Sequence, residues 1–104
     1  MNKKVKKLLT QKQKERLCYL HWNSGTMAEN DFYLGLLSKN NDLNKVYDEI
    51  VKEAIEELNF NYDDYLKGDI DFWLGDYDYD EFLLLLMQKL DEKLEVGLYD
   101  YNYD

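Results

Sequence analysis

The chain has 104 residues, a single cysteine and a formal net charge of −9 at neutral pH. This length fits one domain over residues 1–104 that folds without a metal ion, and the lone Cys18 excludes an internal disulfide and favours a reducing compartment. Because there is neither an apolar run of ~20 residues nor an apolar secretory signal, we expect a cytoplasmic protein without a membrane partner.

Charge is distributed unevenly along the sequence. Residues 1–22 carry seven basic side chains against one acid, whereas residues 59–104 carry thirteen acids against three lysines. We expect residues 1–7 to form a frayed basic arm, because their lysines oppose the helix dipole, and residues 99–104 to form an acidic tail. An acidic surface repels phosphates, so we expect a basic protein partner and no direct nucleic-acid binding.

Apolar spacing predicts two helices in the first 38 residues. The first runs through about Trp22 and is ordered from about Leu8. The second begins at Thr26, because Thr26 and Glu29 have the spacing of a capping box, and it continues to about Ser38.

Residues 43–58 show the clearest helical periodicity. Asn41 or Asp42 is expected to cap this helix, and its acidic residues, between positions 48 and 57, fall off the apolar stripe and face water or a partner. The apolar residues recur at steps of three and four, which predicts a core-facing helix: Leu43, Val46, Tyr47, Ile50, Val51, Ala54, Ile55 and Leu58.

The last helix is predicted from the residues that bound it. Asp80 is a candidate N-cap, the helix continues to about Glu95, and Gly97 is expected to end it in a left-handed conformation. Residues 83–87 are consecutive and apolar, so this helix must be covered on more than one side. It is either the central helix of the bundle or an interface, in which case a homodimer forms through helix 81–95.

Residues 60–79 are ambiguous. Tyr62 to Lys67 fits one helical turn, whereas the alternation from Asp69 onward predicts a small β-hairpin around residues 69–79. The predicted fold class is therefore mainly α: a small single-domain helical bundle of about four helices, with this hairpin as a minor β element.

Motifs for catalysis and metal binding are incomplete. Cys18 and His21 lie three residues apart on a predicted helix, but no second cysteine or histidine completes a zinc site, so we expect a half-buried cysteine and a surface histidine. Asp76, Asp78 and Asp80 begin like a calcium loop, yet its required glycine and final glutamate are absent. We expect no enzymatic activity, no metal and no cofactor.

Tyrosine and aspartate alternate in residues 76–80. On an extended segment this spacing places carboxylates about 6.8 Å apart on one face and aromatic rings on the other. The rings then anchor a partner and the acids steer it, unless the rings belong to the core and the aspartates only solubilise loops. The predicted partner-binding residues are Phe72, Trp73, Asp76, Tyr77, Asp78, Tyr79 and Asp80.

In size, acidity and tyrosine content the chain resembles small phage-encoded inhibitors of host nucleic-acid machinery. This resemblance implies a host replication protein as partner, with the helicase-loader ATPase favoured and a nuclease as the alternative, and a block of its assembly or DNA engagement. A DNA mimic of the anti-restriction or anti-CRISPR kind would need the acidic helix face of residues 48–57 as well, since duplex DNA carries one charge per ~1.7 Å. A toxin-immunity protein and a self-associating structural or regulatory protein are the other candidates.

Overall fold

A computed structural model describes residues 8–70 and 78–99 of the chain. Within these residues it contains five helices and no strand, so the prediction of a mainly-α, small single-domain protein is confirmed. The helices are α1 (Gln11–Asn23), α2 (Thr26–Leu37), α3 (Asn41–Glu57), α4 (Tyr62–Lys67) and α5 (Tyr79–Leu94). The expected basic arm at residues 1–7 lies outside the described residues, as do most of the expected hairpin at 69–79 and of the acidic tail.

A capping box begins α1. The hydroxyl of Thr10 accepts a hydrogen bond from the backbone N–H of Gln13 at 3.1 Å, and the Gln13 side chain accepts one from the Thr10 N–H at 2.8 Å. Two of the four free N–H groups of the helix start are satisfied in this way.

The capping box predicted for α2 is wrong. Gly25 is the N-cap, with a φ of 100° that favours glycine, and no side chain caps the helix start. Thr26 is the first helical residue, and Glu29 is buried on the inner face of α2. The spacing of Thr26 and Glu29 matches the motif, but the Glu29 side chain contacts His21 of α1 instead of the helix start.

The apolar stripe predicted for α3 is confirmed. The N-cap is Asn40 rather than Asn41 or Asp42, and its side chain accepts a hydrogen bond from the Leu43 N–H at 3.0 Å. The buried residues of this helix are Leu43, Tyr47, Ile50, Val51, Ala54 and Ile55.

Helix α4 is the single turn anticipated at Tyr62 to Lys67, whereas α5 begins two residues before its predicted start. Asp78 and not Asp80 is its N-cap, accepting a hydrogen bond from the Glu81 N–H at 2.9 Å. Glu95 ends α5 in a left-handed conformation with a φ of 53°, while the expected terminator Gly97 has a φ of 84° two residues later.

Helix α5 is the central element of the bundle. It packs against α3 and α2, while α1 packs on α2 and α4 on α3. The buried side of α5 consists of Phe82, Leu83, Leu86, Met87, Leu90 and Leu94. The segment after α5 joins the same core through Val96 and Leu98. Among the described helices, none has both the length and the apolar character needed to cross a lipid bilayer.

Candidate functional site

Four of the seven predicted partner-binding residues, Phe72, Trp73, Asp76 and Tyr77, lie outside the described residues. The other three stand at the start of α5, where Asp78 is the helix cap, Tyr79 is 39 % exposed and Asp80 is exposed. Because Tyr79 and Asp80 are already helical, they are about 100° apart rather than on opposite faces. The expected strand-like separation of ring and carboxylate therefore does not apply to these two residues.

Aromatic rings continue inward from Tyr79. The ring of Tyr79 lies 5.8 Å from that of buried Phe82, and Phe82 lies 5.8 Å from Tyr65, which stacks on Tyr62 at 6.1 Å. Burial raises the pKa of Tyr65. These rings form an aromatic layer between α4 and α5, so Tyr79 supports the core and also presents part of its ring to solvent.

Helix α3 carries an exposed acidic face, as its periodicity predicted. Exposed Lys52 also lies on this face, four residues from both Asp48 and Glu56, and the acidic residues are Asp48, Glu49, Glu53, Glu56 and Glu57. Lys89 of α5 lies close to the C-terminal end of the acidic face of α3. Its Nζ is 3.4 Å from Glu57 Oε1 and 3.9 Å from Glu53 Oε1. This exposed bridge offsets part of the local charge, although such pairs contribute little to stability.

The acidic face of α3 is continuous with the start of α5. Glu57 of α3 and Glu81 of α5 line the same surface groove, and Asp80 is exposed next to Glu81. We call the five α3 acids together with Asp80 and Glu81 the acidic surface. A partner with a basic surface would meet carboxylates from two helices at once, and their summed field would speed the encounter.

A second group of polar side chains is buried between α1, α2 and α5. Nδ1 of His21 lies 2.5 Å from Oε1 of Glu29, and the side chains are 6 % and 0 % exposed. The prediction of a surface histidine is therefore wrong. Cys18 is buried rather than half-buried.

Burial sets the protonation of this pair. It raises the pKa of Glu29 to about 8, with the nearby Asp91 carboxylate adding to the effect. Burial also lowers the pKa of His21, against the opposing influence of Asp91. Both shifts favour the neutral forms of the two side chains over an ion pair.

The C-terminal segment is fixed against this cluster. Oδ1 of Asp91 accepts hydrogen bonds from the backbone N–H groups of Gly97 at 2.8 Å and Leu98 at 2.9 Å. The indole Nε1 of Trp22 donates to the Leu98 carbonyl at 2.6 Å, and the Trp22 ring contacts that of Tyr99 edge-on. These bonds hold residues 96–99 on α1, so the cluster is best explained as a structural anchor.

The thiol of Cys18 belongs to the same anchor. Its Sγ lies 3.8 Å from the carbonyl oxygen of Val96 and 3.6 Å from that of Gly97. Burial, with the Asp91 and Glu29 carboxylates, raises the pKa of the thiol to about 11. A thiol that stays protonated is a poor nucleophile. Within the part of the chain that the structure describes, no three His, Cys, Asp or Glu side chains are placed to hold a metal ion.

Sequence reasoning missed the roles of Glu29 and Asp91, although a signal was present. Glu29 lies four residues before buried Tyr33, and Asp91 lies four residues after buried Met87, so each acid falls on the apolar stripe of its helix. A carboxylate on a core-facing stripe predicts a buried partner.

Comparisons of the chain with protein-family models, with curated proteins and with solved structures find no match.

Proposed function

We propose that this chain is an acidic protein-binding protein, an inhibitor of the kind that phages encode, which occupies a basic surface of a host replication protein. The helicase-loader ATPase is the favoured partner, and binding would block its assembly or its engagement of DNA. The observation that supports this proposal is the acidic surface, in which carboxylates of α3 and α5 project into solvent side by side.

Electrostatics explains how such a surface would act. Proteins that bind DNA present clustered lysines and arginines, and an acidic surface of matching extent accelerates encounter with them and competes with phosphate. The half-exposed ring of Tyr79 beside Asp80 adds an aromatic contact, since tyrosines are frequent anchors of interfaces. The competition requires no reaction, so the inhibitor would act by stoichiometric binding.

DNA mimicry is a second candidate that the geometry of α3 favours. Five exposed acids lie within residues 48–57, and at a helical rise of about 1.5 Å per residue this gives one carboxylate per roughly 3 Å. Duplex DNA carries one charge per ~1.7 Å, so α3 alone supplies about half of that charge density, and the acids at the start of α5 would have to add to it. An anti-restriction or anti-CRISPR target would then be recognised through the whole acidic surface.

The test is direct binding of the purified chain to a helicase-loader ATPase from a low-GC Gram-positive host, by biolayer interferometry at low and moderate salt. The triple variant E49K/E53K/E56K should bind about tenfold more weakly, mainly through slower association. The triple variant E15K/D31K/E92K changes net charge equally at exposed positions outside the acidic surface, so it should bind more nearly like the unmodified chain.

Two results would contradict the proposal. If the ATPase does not bind at either salt concentration, the favoured partner is wrong. If both triple variants weaken binding equally, net charge alone is responsible and the acidic surface is not the recognition face.

A further inference from the structure

A groove lies between the C-terminal end of α3 and the outer side of α5. Its volume is about 240 Å³, and it is open to solvent. The lining residues are Glu57, Leu58, Glu81, Leu84, Leu85 and Gln88.

The outer side of α5 supplies most of this groove. Glu81, Leu84, Leu85 and Gln88 recur at steps of three, one and three residues and so form one stripe along the helix. Leu83, Leu86 and Met87 are buried inside the bundle, but Leu84 is 38 % exposed. The leucine-rich helix is thus covered on the sides that face α2 and α3 and presents apolar surface on a remaining side.

Charge borders the apolar floor. Glu57 stands on the α3 side and Glu81 on the α5 side. Lys89 already lies 3.4 Å from Glu57, so a cation from a partner would share this carboxylate with Lys89. An apolar floor between two carboxylates matches a ligand that has an aliphatic side chain flanked by basic ones.

We propose that this groove binds an amphipathic basic helix of the partner protein. A leucine or isoleucine of that helix lies against Leu58, Leu84 and Leu85, and a lysine or arginine on either side faces Glu57 and Glu81. Helix-in-groove recognition uses apolar anchors spaced three or four residues apart. The residues of the stripe on α5 recur at the same spacing. This inference rests on the proposed function in one respect, that the partner is basic.

A second copy of the chain is a less suitable occupant. The chain has a net charge of −9, and two copies meeting here would bring their acidic surfaces together. Obligate homodimer interfaces bury about 2,000–5,000 Å². The apolar surface that α5 keeps outside its own bundle is limited to Leu84 and the partly buried Leu85, which suits one or two anchor side chains of a helix but is too small for such an interface.

The test uses the full-length ¹⁵N-labelled chain and two synthetic lysine-rich helical peptides of about 15 residues. One peptide carries leucines at helical spacing, and the other carries serines at the same positions. The leucine peptide should shift the amide signals of Leu58, Leu84 and Gln88 and bind at least several-fold more tightly than the serine peptide.

A matched pair of variants locates the site. L84K should weaken binding of the leucine peptide about tenfold, whereas L34K should leave it nearly unchanged, because Leu34 is a 48 % exposed leucine of α2 away from the groove. The same added charge in both variants removes net charge as an explanation. Circular dichroism confirms that both variants fold.

The outcomes separate this inference from the proposed function. If both peptides bind equally and L84K matches L34K, the groove inference is overturned, while an acidic surface that binds the ATPase is unaffected. If the leucine peptide behaves as expected but the ATPase does not bind, the groove is supported and the favoured partner is wrong. Two results without peptide would make a second copy the occupant and overturn the inference: self-association in a sedimentation experiment, and shifts of the same amide signals as the protein concentration rises.

Discussion

His21 and Glu29 make a 2.5 Å contact across the two-residue connection between α1 and α2. The contact joins the last turn of one helix to the first turn of the next, and both side chains are buried. Around the pair lie three further groups, Cys18 from α1, Tyr33 from α2 and Asp91 from α5. Burial, and after it the charge of Asp91 among other groups, raises the pKa of Cys18, Tyr33 and Glu29. A buried acid in this setting links the stability of the fold to pH.

Glu29→Gln should remove part of that pH dependence. The folded pKa of Glu29 is about 8, above its ordinary value of 4.5, so its stabilising contribution is complete below about pH 4.5 and is lost as pH rises through 8. His21 has the opposite effect. Because its folded pKa is lowered, its contribution reduces stability as the pH falls below about 6.5. Between about pH 6.5 and 8 the unmodified chain should therefore lose stability relative to Glu29→Gln, by at most about 1.4 kcal/mol per pH unit.

Urea unfolding followed by circular dichroism at several pH values measures this difference. Asp31→Asn, which changes an exposed carboxylate of the same helix, is the control and should follow the unmodified chain. Parallel stability curves for Glu29→Gln and the unmodified chain would show that Glu29 is not protonated in the folded state.

Trp22→Phe should destabilise the C-terminal segment. The substitution keeps an aromatic ring but removes the indole N–H that donates to the Leu98 carbonyl at 2.6 Å. The expected cost is about 1 kcal/mol of unfolding free energy. Hydrogen exchange of the Gly97 and Leu98 amides should accelerate, because their bonds to Asp91 depend on the same segment staying in place. Tyr19→Phe, at an exposed position on α1, should change neither quantity, and equal effects of the two substitutions would argue against the anchor.

Cys18 should be nearly inert in the folded protein. The thiol is 1 % exposed and its pKa is raised to about 11, so both access and the thiolate fraction are low. A colorimetric disulfide reagent at neutral pH should react at least about a hundredfold more slowly with the native chain than with the chain in urea. Rapid native labelling would indicate that the segment after α5 opens often, and hydrogen exchange at Leu98 would then be fast as well.

Asp78→Ala and Asp80→Ala should differ in their effect on stability. Asp78 caps α5 through the Glu81 N–H, and its loss should cost about 1 kcal/mol, whereas exposed Asp80 should cost much less. Thermal or urea unfolding provides the comparison. If Asp80→Ala is the more damaging substitution, α5 begins later than Tyr79. Partner binding by the two variants is best compared only after this difference is known.

Sequence predicted the helices whose apolar positions repeat regularly. In α3 the repeat runs from Leu43 to Ile55, so its inner face and its acidic outer face followed from one pattern. The caps were less predictable, because several aspartates and asparagines near each helix start can all serve. The observed cap of α3, Asn40, lies one residue before Asn41, the nearer of its two predicted caps. The observed cap of α5, Asp78, lies two residues before the predicted Asp80.

The buried polar cluster shows why local motifs were insufficient. Glu29 has the spacing of a capping box with Thr26, but its partner is His21, eight residues earlier, and that contact depends on how α1 and α2 pack. Asp91 likewise finds its partners in the turn after α5, at Gly97 and Leu98. The sequence predicted partner-binding residues within 72–80, of which residues 78–80 are described, and indicated only that the acids of α3 face water or a partner. That the α3 acids and the start of α5 border one groove required the tertiary structure.

The anchoring of residues 96–98 on α1 bears on how the chain folds during synthesis. Cys18 and Trp22 are translated early, yet the backbone groups that cover them belong to Val96, Gly97 and Leu98. Domains emerge from the ribosome N-terminus first, at roughly 5–20 residues per second. The inner side of α1 therefore stays incompletely covered until Leu98, 76 residues after Trp22, has been made, so closure of the bundle follows the synthesis of all five helices.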